Sequence, residues 1–171
     1  QAIDTSQEYG FELVLMGARD AWRIADKLAE LNVPVVFGSP YGLPARNDEG
    51  YDQAFATPAR LAEAGGNFAI SYPGYWDVRN LPFAAGNAVA FGLDQQQALA
   101  AITLKPAEIM GVADKLGSLE VGKSASLSVS EGDLLDPIGQ KLTHLYIDGR
   151  KVSLSSRHTE LYEKYRQKPS E

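Results

Sequence analysis

The sequence predicts an α/β fold: a short parallel sheet covered by helices, followed by antiparallel β structure and a closing helix. Three observations carry this. Short apolar runs alternate with amphipathic stretches in the order strand, helix, strand, helix, strand over the first part of the chain. Two of those strands are continuous apolar runs, as in a parallel sheet covered on both faces. Near residue 113 the texture changes, and "SASLSVS" alternates apolar and polar residues with period two.

The elements follow in order. Ala2, Ile3 and Tyr9 sit at the spacing of a helix that Gly10 would close. "FELVLMG" is a short apolar strand. "RDAWRIADKLAELN" puts Ala21, Ile24, Ala25 and Leu28 at helical spacing, with Asn32 as the stop. "VPVVFG" is the second strand, and a polar loop, "SPYGLPARNDEGYDQ", follows at 39–53. Thr57-Pro58 reads as an N-cap and first helical residue, and "ARLAEAGG" continues that helix to a glycine stop. "NFAIS" is the third strand. Three helices come next: "NLPFAAGNAVAFGL", then "DQQQALAAITL" with Asp94 as N-cap, then "KPAEIMG" with Pro106 in its first turn. Ala125, Leu127 and Val129 line one face of the alternating strand. "KLTHLYIDGRKV" is a hairpin turning at Asp148-Gly149. "SSRHTELYEKYRQK" is a helix with Leu161, Tyr162 and Tyr165 on one side, placed to dock on the rest of the fold or on a partner. No internal repeat interrupts this order.

Composition narrows the function classes. A chain of 171 residues, 44% hydrophobic, is long enough to bury a core. The net charge of −6, without a basic run, argues against nucleic acid or an anionic membrane surface as partner. No apolar run approaches the roughly 18 residues of a membrane span. "QAIDTSQEYG" has neither the basic leader nor the apolar core of a signal peptide. Absence of cysteine excludes disulfides, thiolate metal sites and cysteine nucleophiles. There is no G-x-S-x-G, Walker or G-x-G-x-x-G sequence.

Three stretches carry a resemblance. "RNLPFAAGNAVAFGL", "ALAAITLKPAEIMGVADKLGSLEVGKSASLSV" and "YIDGRKV" resemble the C-terminal part of the amidohydrolase superfamily, nearest to its imidazolonepropionase-like or dipeptidase-like subgroup. The upstream "GARDAWRIADKLAELNVPVVFGSPYGLP" is similar to that family's sixth strand, sixth helix and seventh strand. The resemblance implies a partial TIM-like (β/α)8 barrel, its last three βα units, in residues 1–112. It further implies a segment of a composite β-sandwich at 113–154 and a C-terminal helix and tail at 155–171. The chain is then expected to be a fragment or a truncated gene product.

The resemblance also implies metal-assisted hydrolysis of carbon–nitrogen bonds, in which a divalent ion such as zinc activates water. That chemistry needs convergent His and carboxylate ligands. The only two histidines are His144, in the alternating "LTHLYI" strand, and His158, in the terminal helix. Where the family's sixth strand ends in a metal-binding His, this chain has Met16, a soft thioether poorly suited to zinc or magnesium. Where the eighth strand ends in a ligating Asp, Tyr72 stands, and Asp77 follows in the turn. No catalytic residue, metal ligand or resident cofactor is therefore expected within this chain.

The candidate substrate-binding residues are Tyr41 and Arg46 in the 39–53 loop, with Tyr75, Trp76, Asp77 and Arg79 after the third strand. In a barrel these loops form the ligand face, and an Arg pairs bidentately with a carboxylate such as a peptide-like substrate carries. The competing reading has the aromatics capping the core and the arginines pairing with Asp48, Glu49 or Asp77. The expected function is the C-terminal part of an amidohydrolase-like hydrolase, inactive in isolation. The alternatives are a metal-free small-molecule-binding protein and a non-catalytic assembly module. Open strand edges in such a fold predict a homo-oligomer that covers them.

Overall fold

The computed structural model describes residues 1–166; the end of the tail at 155–171 lies outside the described residues. Helix α1 (Ala2–Tyr9) ends at Gly10, whose left-handed backbone lets its N–H reach Ser6 O at 2.8 Å. Strands β1 (Leu15–Gly17), β2 (Val35–Phe37) and β3 (Phe68–Ile70) then form a parallel sheet in that order. The register aligns Leu15, Val35 and Phe68 in one row, Met16, Val36 and Ala69 in the next, and Gly17, Phe37 and Ile70 in the third. The sheet is open, and it contains three strands.

A 3-10 turn at Ala21–Ile24 leads into α2 (Ala25–Glu30), and α3 (Gln53–Glu63) and α4 (Leu81–Ala90) complete the helical layer. Ala21, Ala25, Leu28, Ala59, Leu61, Ala84, Ala85 and Ala88 pack with Val35, Phe37, Phe68 and Ile70 into one core. Each large side chain buried there contributes about 1.5–3 kcal/mol. The alanines keep the helix backbones close to the strands. Ile24, expected on the buried stripe, is 44% exposed, because the 3-10 turn rotates it off the helical spacing.

The start of α3 corrects the sequence reading. The helix begins at Gln53, with Asp52 at the N-cap position, so Pro58 lies inside it and Thr57 is not a cap. Thr57 is fully buried, and its hydroxyl donates to the Gln53 carbonyl one turn back at 2.7 Å. Burial of Gln53 and Thr57 against the core extends the helix by a turn that local propensity would have left as loop. Asp94, by contrast, caps α5 (Gln95–Ala100) as expected: its carboxylate accepts from the Gln96 and Gln97 N–H groups at 2.9 and 3.0 Å. Helix α6 (Leu104–Ile109) follows, with Pro106 in its first turn.

Strands β4 (Leu127–Glu131), β5 (Lys141–Ile147) and β6 (Arg150–Lys151) form a separate antiparallel sheet. A register shift at Val129/Ser130 marks a bulge. The β5–β6 turn holds both Asp148 and Gly149 at positive φ, 48° and 75°, the conformation a type I′ turn requires. On the face of Leu127 and Val129, Leu127 is half-buried and Val129 is 44% exposed. A close approach of α4 and a hydrogen bond from Gln95 of α5 to Asp133 at 2.7 Å tie the 132–138 loop to the helical layer. A Cβ on Gly86 of α4 would sit 2.2 Å from the Leu135 carbonyl, so only glycine admits the 132–138 loop there. Helix α7 (Arg157–Arg166) buries no residue. Leu161, Tyr162 and Tyr165 are exposed, at 37%, 63% and 56%.

Candidate functional site

Three loops leave the C-terminal ends of β1, β2 and β3, and they meet. The loop after β1 carries Arg19 and Asp20, and the long loop after β2 carries Tyr41, Arg46, Asp48 and Glu49. Arg46 donates to both oxygens of Asp20, at 2.9 and 2.7 Å, in a bidentate fork. It also reaches Asp48 Oδ1 at 3.2 Å. Glu49 Oε1 lies 2.8 Å from the same guanidinium, out of line for a hydrogen bond, so that contact is Coulombic.

Glu49 is the anchor of the loop. Its side chain is 2% exposed, and its other oxygen accepts from Ala45 N–H at 2.9 Å and from Arg19 at 3.2 Å. A buried carboxylate persists only when paired and hydrogen-bonded, and Glu49 meets both conditions. Arg19 also donates to the Leu43 carbonyl, and Arg23 pairs with Asp48. Arg23 and Arg60 flank the Trp22 ring at 4.6 and 5.2 Å, extending the cationic cluster over an aromatic face. The hydrogen bond from Arg46 holds the Asp20 carboxyl below the usual carboxylate range. The bond from Arg23 does the same for Asp48.

Tyr41 starts a second group. Its ring meets Tyr72 edge-on at 5.9 Å and Phe55 at 6.3 Å, and Phe55 stacks on Phe91 at 4.9 Å. Its hydroxyl donates to the Phe83 carbonyl at 3.1 Å. Burial, then the neighbouring Tyr72, raises the Tyr41 phenol above its ordinary pKa. Tyr41 also walls a cleft of about 340 Å³ between α4 and the 133–137 loop, with Asn87, Gln95, Asp133 and Leu135 on its other sides.

The residues after β3 form a third group. Tyr75 and Trp76 are 87% and 74% exposed and meet edge-on at 5.3 Å. Asp77 opens a 3-10 turn that contains Arg79. The structure thus pairs Tyr75 with Trp76 and joins Tyr41 to Tyr72. Arg46 turns instead toward the β1 loop and engages the protein's own carboxylates. Sequence reading missed Arg19, Asp20 and Arg23 as its neighbours. The available signal was "GARD" directly after a strand, at the place where loops converge.

The donor set of the strands and their following loops differs from a divalent-metal site. Met16, the middle residue of β1, is 76% exposed and offers a thioether. Tyr72, just beyond β3, offers a phenol ring packed on Tyr41. Asp20, Asp48 and Glu49 in the β1 and β2 loops are matched by Arg19, Arg23 and Arg46. His144 lies on β5, stacked with Tyr146, and His158 lies on α7. Among the described residues no three His, Cys, Asp or Glu side chains are grouped to hold a metal ion.

Three parallel strands whose following loops converge at one end, with a separate antiparallel sheet, make this a mixed α/β protein. The chain belongs to the amidohydrolase family, whose model matches residues 14–155. It is 39% identical over 82 residues to an imidazolonepropionase of Syntrophobacter fumaroxidans, a match covering 46% of this chain and 19% of that protein. A crystal structure of an amidohydrolase from Thermotoga maritima MSB8 superposes with a TM-score of 0.73 at 30% identity, over 89% of this chain and 39% of that one. The E. coli guanine deaminase shares the fold at 18% identity and a TM-score of 0.58, over 90% of this chain and 42% of its own. The chain spans less than half the length of each of these proteins.

Proposed function

We propose that this chain forms the C-terminal part of an amidohydrolase-type hydrolase acting on carbon–nitrogen bonds of a small or dipeptide-like substrate. Its three parallel strands are then the last three βα units of a (β/α)8 barrel, and β4–β6 are one share of a composite sandwich. The supporting observation is the Thermotoga match, high over nearly all of this chain and confined to 39% of the relative. The open parallel sheet is consistent with it.

In this reading the chain shapes the substrate side of the pocket and supplies none of the metal chemistry. Tyr75 and Trp76 offer apolar rings to the substrate, and Asp77 and Arg79 offer polar contacts beside them. Tyr41 walls the pocket. Arg46 acts indirectly, by fixing the loop that presents Tyr41. The ligands of any divalent ion come from outside these residues, because Met16 and Tyr72 occupy the positions where imidazole and carboxylate would serve.

The test is turnover and metal content of the purified 171-residue chain. The expected result is no hydrolysis of a dipeptide or an N-acyl amino acid, and no zinc retained against a chromogenic chelator. Turnover, or one tightly held zinc per chain, overturns the reading. A second reading, a metal-free small-molecule-binding protein, is favoured by the same Met16 and Tyr72. Native mass spectrometry that finds a small molecule bound to metal-free, inactive chain would select it.

A further inference from the structure

The cleft of about 340 Å³ between α4 and the 133–137 loop is walled by residues from 41 to 137, and no strand edge takes part in it. Of the residues assigned to the substrate side, Tyr41 alone lines it. Its volume falls within the range of small-molecule sites, about 300–1,000 Å³. Its walls are fixed by the chain itself. Gly86 lets the loop approach α4 closely, Asp133 Oδ2 accepts from Gln95 Nε2 at 2.7 Å, and the Tyr41 hydroxyl donates to the Phe83 carbonyl at 3.1 Å. Such preorganisation lowers the cost of binding.

The lining combines apolar surface with acceptors. Tyr41, Phe83, Val89, Leu135 and Pro137 supply the apolar part. Asp133 and Asp136 supply two carboxylates, and among the described residues no Lys, Arg or His lines the cleft. The hydrogen bonds these carboxylates accept come from neutral groups. Leu135 N–H and Gln95 donate to Asp133 at 2.9 and 2.7 Å, and Ile138 N–H donates to Asp136 at 2.9 Å. Their charge is therefore not neutralised within the cleft. A second observation is independent of the carboxylates. Asn87 also lines the cleft, and its side-chain oxygen is buried with no donor among the described residues. An unmet buried acceptor is a cost that a donor removes.

We propose that this cleft binds a small organic cation: a primary ammonium or guanidinium group on a short apolar stem. The stem lies against Tyr41 and Leu135, and the charged head donates to Asn87 and faces Asp133 and Asp136. Such a head carries several N–H donors and no acceptor, so it matches all three groups. An anion meets two like charges there, and a neutral alcohol leaves both carboxylates uncompensated.

The proposal stands apart from the hydrolase reading, since it is read by binding rather than turnover and uses only residues of this chain. The experiment is an NMR titration of the 171-residue chain with benzylamine and with agmatine, against benzoate and benzyl alcohol. Each amine is expected to bind one site with a Kd of about 1 mM or tighter, and the two controls about tenfold or more weakly. Asp136→Asn removes a charge but keeps the oxygen that accepts from Ile138 N–H, and should weaken amine binding by about tenfold. Asn87→Leu, close in shape, should weaken it to a similar degree. It should leave the thermal midpoint unchanged or raised, because it removes the unmet acceptor, whereas a purely structural asparagine would lower the midpoint when lost. If Asn87→Leu unfolds the chain, Asp136→Asn decides. Amines that do not bind, benzoate that binds as well as they do, or amine binding untouched by Asp136→Asn or by folded Asn87→Leu overturns the proposal. The last outcome would mean attraction to the net charge of −6 only.

Discussion

The parallel-sheet layer and the antiparallel segment end in opposite states. In the first, β3 is buried along its whole length and Ala84, Ala85 and Ala88 have no exposed surface. In the second, neither β4 nor β5 contains a buried residue, and Leu135, in the loop between them, is the buried hydrophobic side chain there. The difference is whether a second layer is present. Helices α2, α3 and α4 cover one face of the parallel sheet, whereas β4–β6 have no facing sheet among the described residues. An isolated antiparallel sheet with one face uncovered gains little from burial.

That contrast can be broken from either side. The largest effect is expected in the covered layer: Phe37→Ala should cost about 3–5 kcal/mol, read as a lower urea midpoint. Next comes the joint between the regions. Gly86→Ala drives a methyl into the Leu135 carbonyl and should cost about 1–3 kcal/mol, with faster proteolysis of the 132–138 loop as the sign that the two regions have separated. Asp94→Ala removes the cap of α5, which lies between them, and should cost about 1 kcal/mol in the same denaturation assay. A protein as stable as wild type after Phe37→Ala would mean that the parallel layer is not where stability resides.

The loop network should show a smaller, pH-dependent effect, because its ion pairs are largely solvent-screened. Asp20 and Asp48 have carboxyls held below their ordinary range by Arg46 and Arg23. Their contribution is therefore complete above the unfolded-state pKa of about 3.9 and is lost as pH falls through the lower folded values. Thermal midpoints measured from neutral pH downward should fall in that acid window, and Arg46→Gln should flatten the fall. An identical profile in the variant would show that the network does not hold the loop. The smallest effect belongs to the uncovered sheet: Val129→Thr should change stability by less than about 0.5 kcal/mol. A large loss there would reveal a layer covering β4.

Much of the fold is legible in the residues alone. Asp94 announces its helix because the two N–H groups it caps are two and three residues away. Asp148-Gly149 announces its turn because that backbone shape favours those residues. The start of α3 is illegible for the opposite reason: Thr57-Pro58 is a sound local start signal, and burial of Gln53 and Thr57 against distant residues overrides it. Arg46 illustrates the same limit at the site. Asp48 and Glu49, two and three positions on, are the partners that proximity along the chain suggests, but the bidentate fork joins it to Asp20, twenty-six residues back.

The sequence by itself determined the order of strands and helices, the cap at Asp94 and the turn at Asp148-Gly149. Each of these depends on side-chain chemistry within a few residues. Tertiary structure alone decided that Asp20 joins Asp48 and Glu49 around Arg46, that Tyr41 packs on Tyr72 rather than on Tyr75 or Trp76, and that Ala101 caps the outward N–H of Ile70 on β3. Those outcomes depend on which loops the parallel register brings side by side, and the register is set by burial summed over the whole layer.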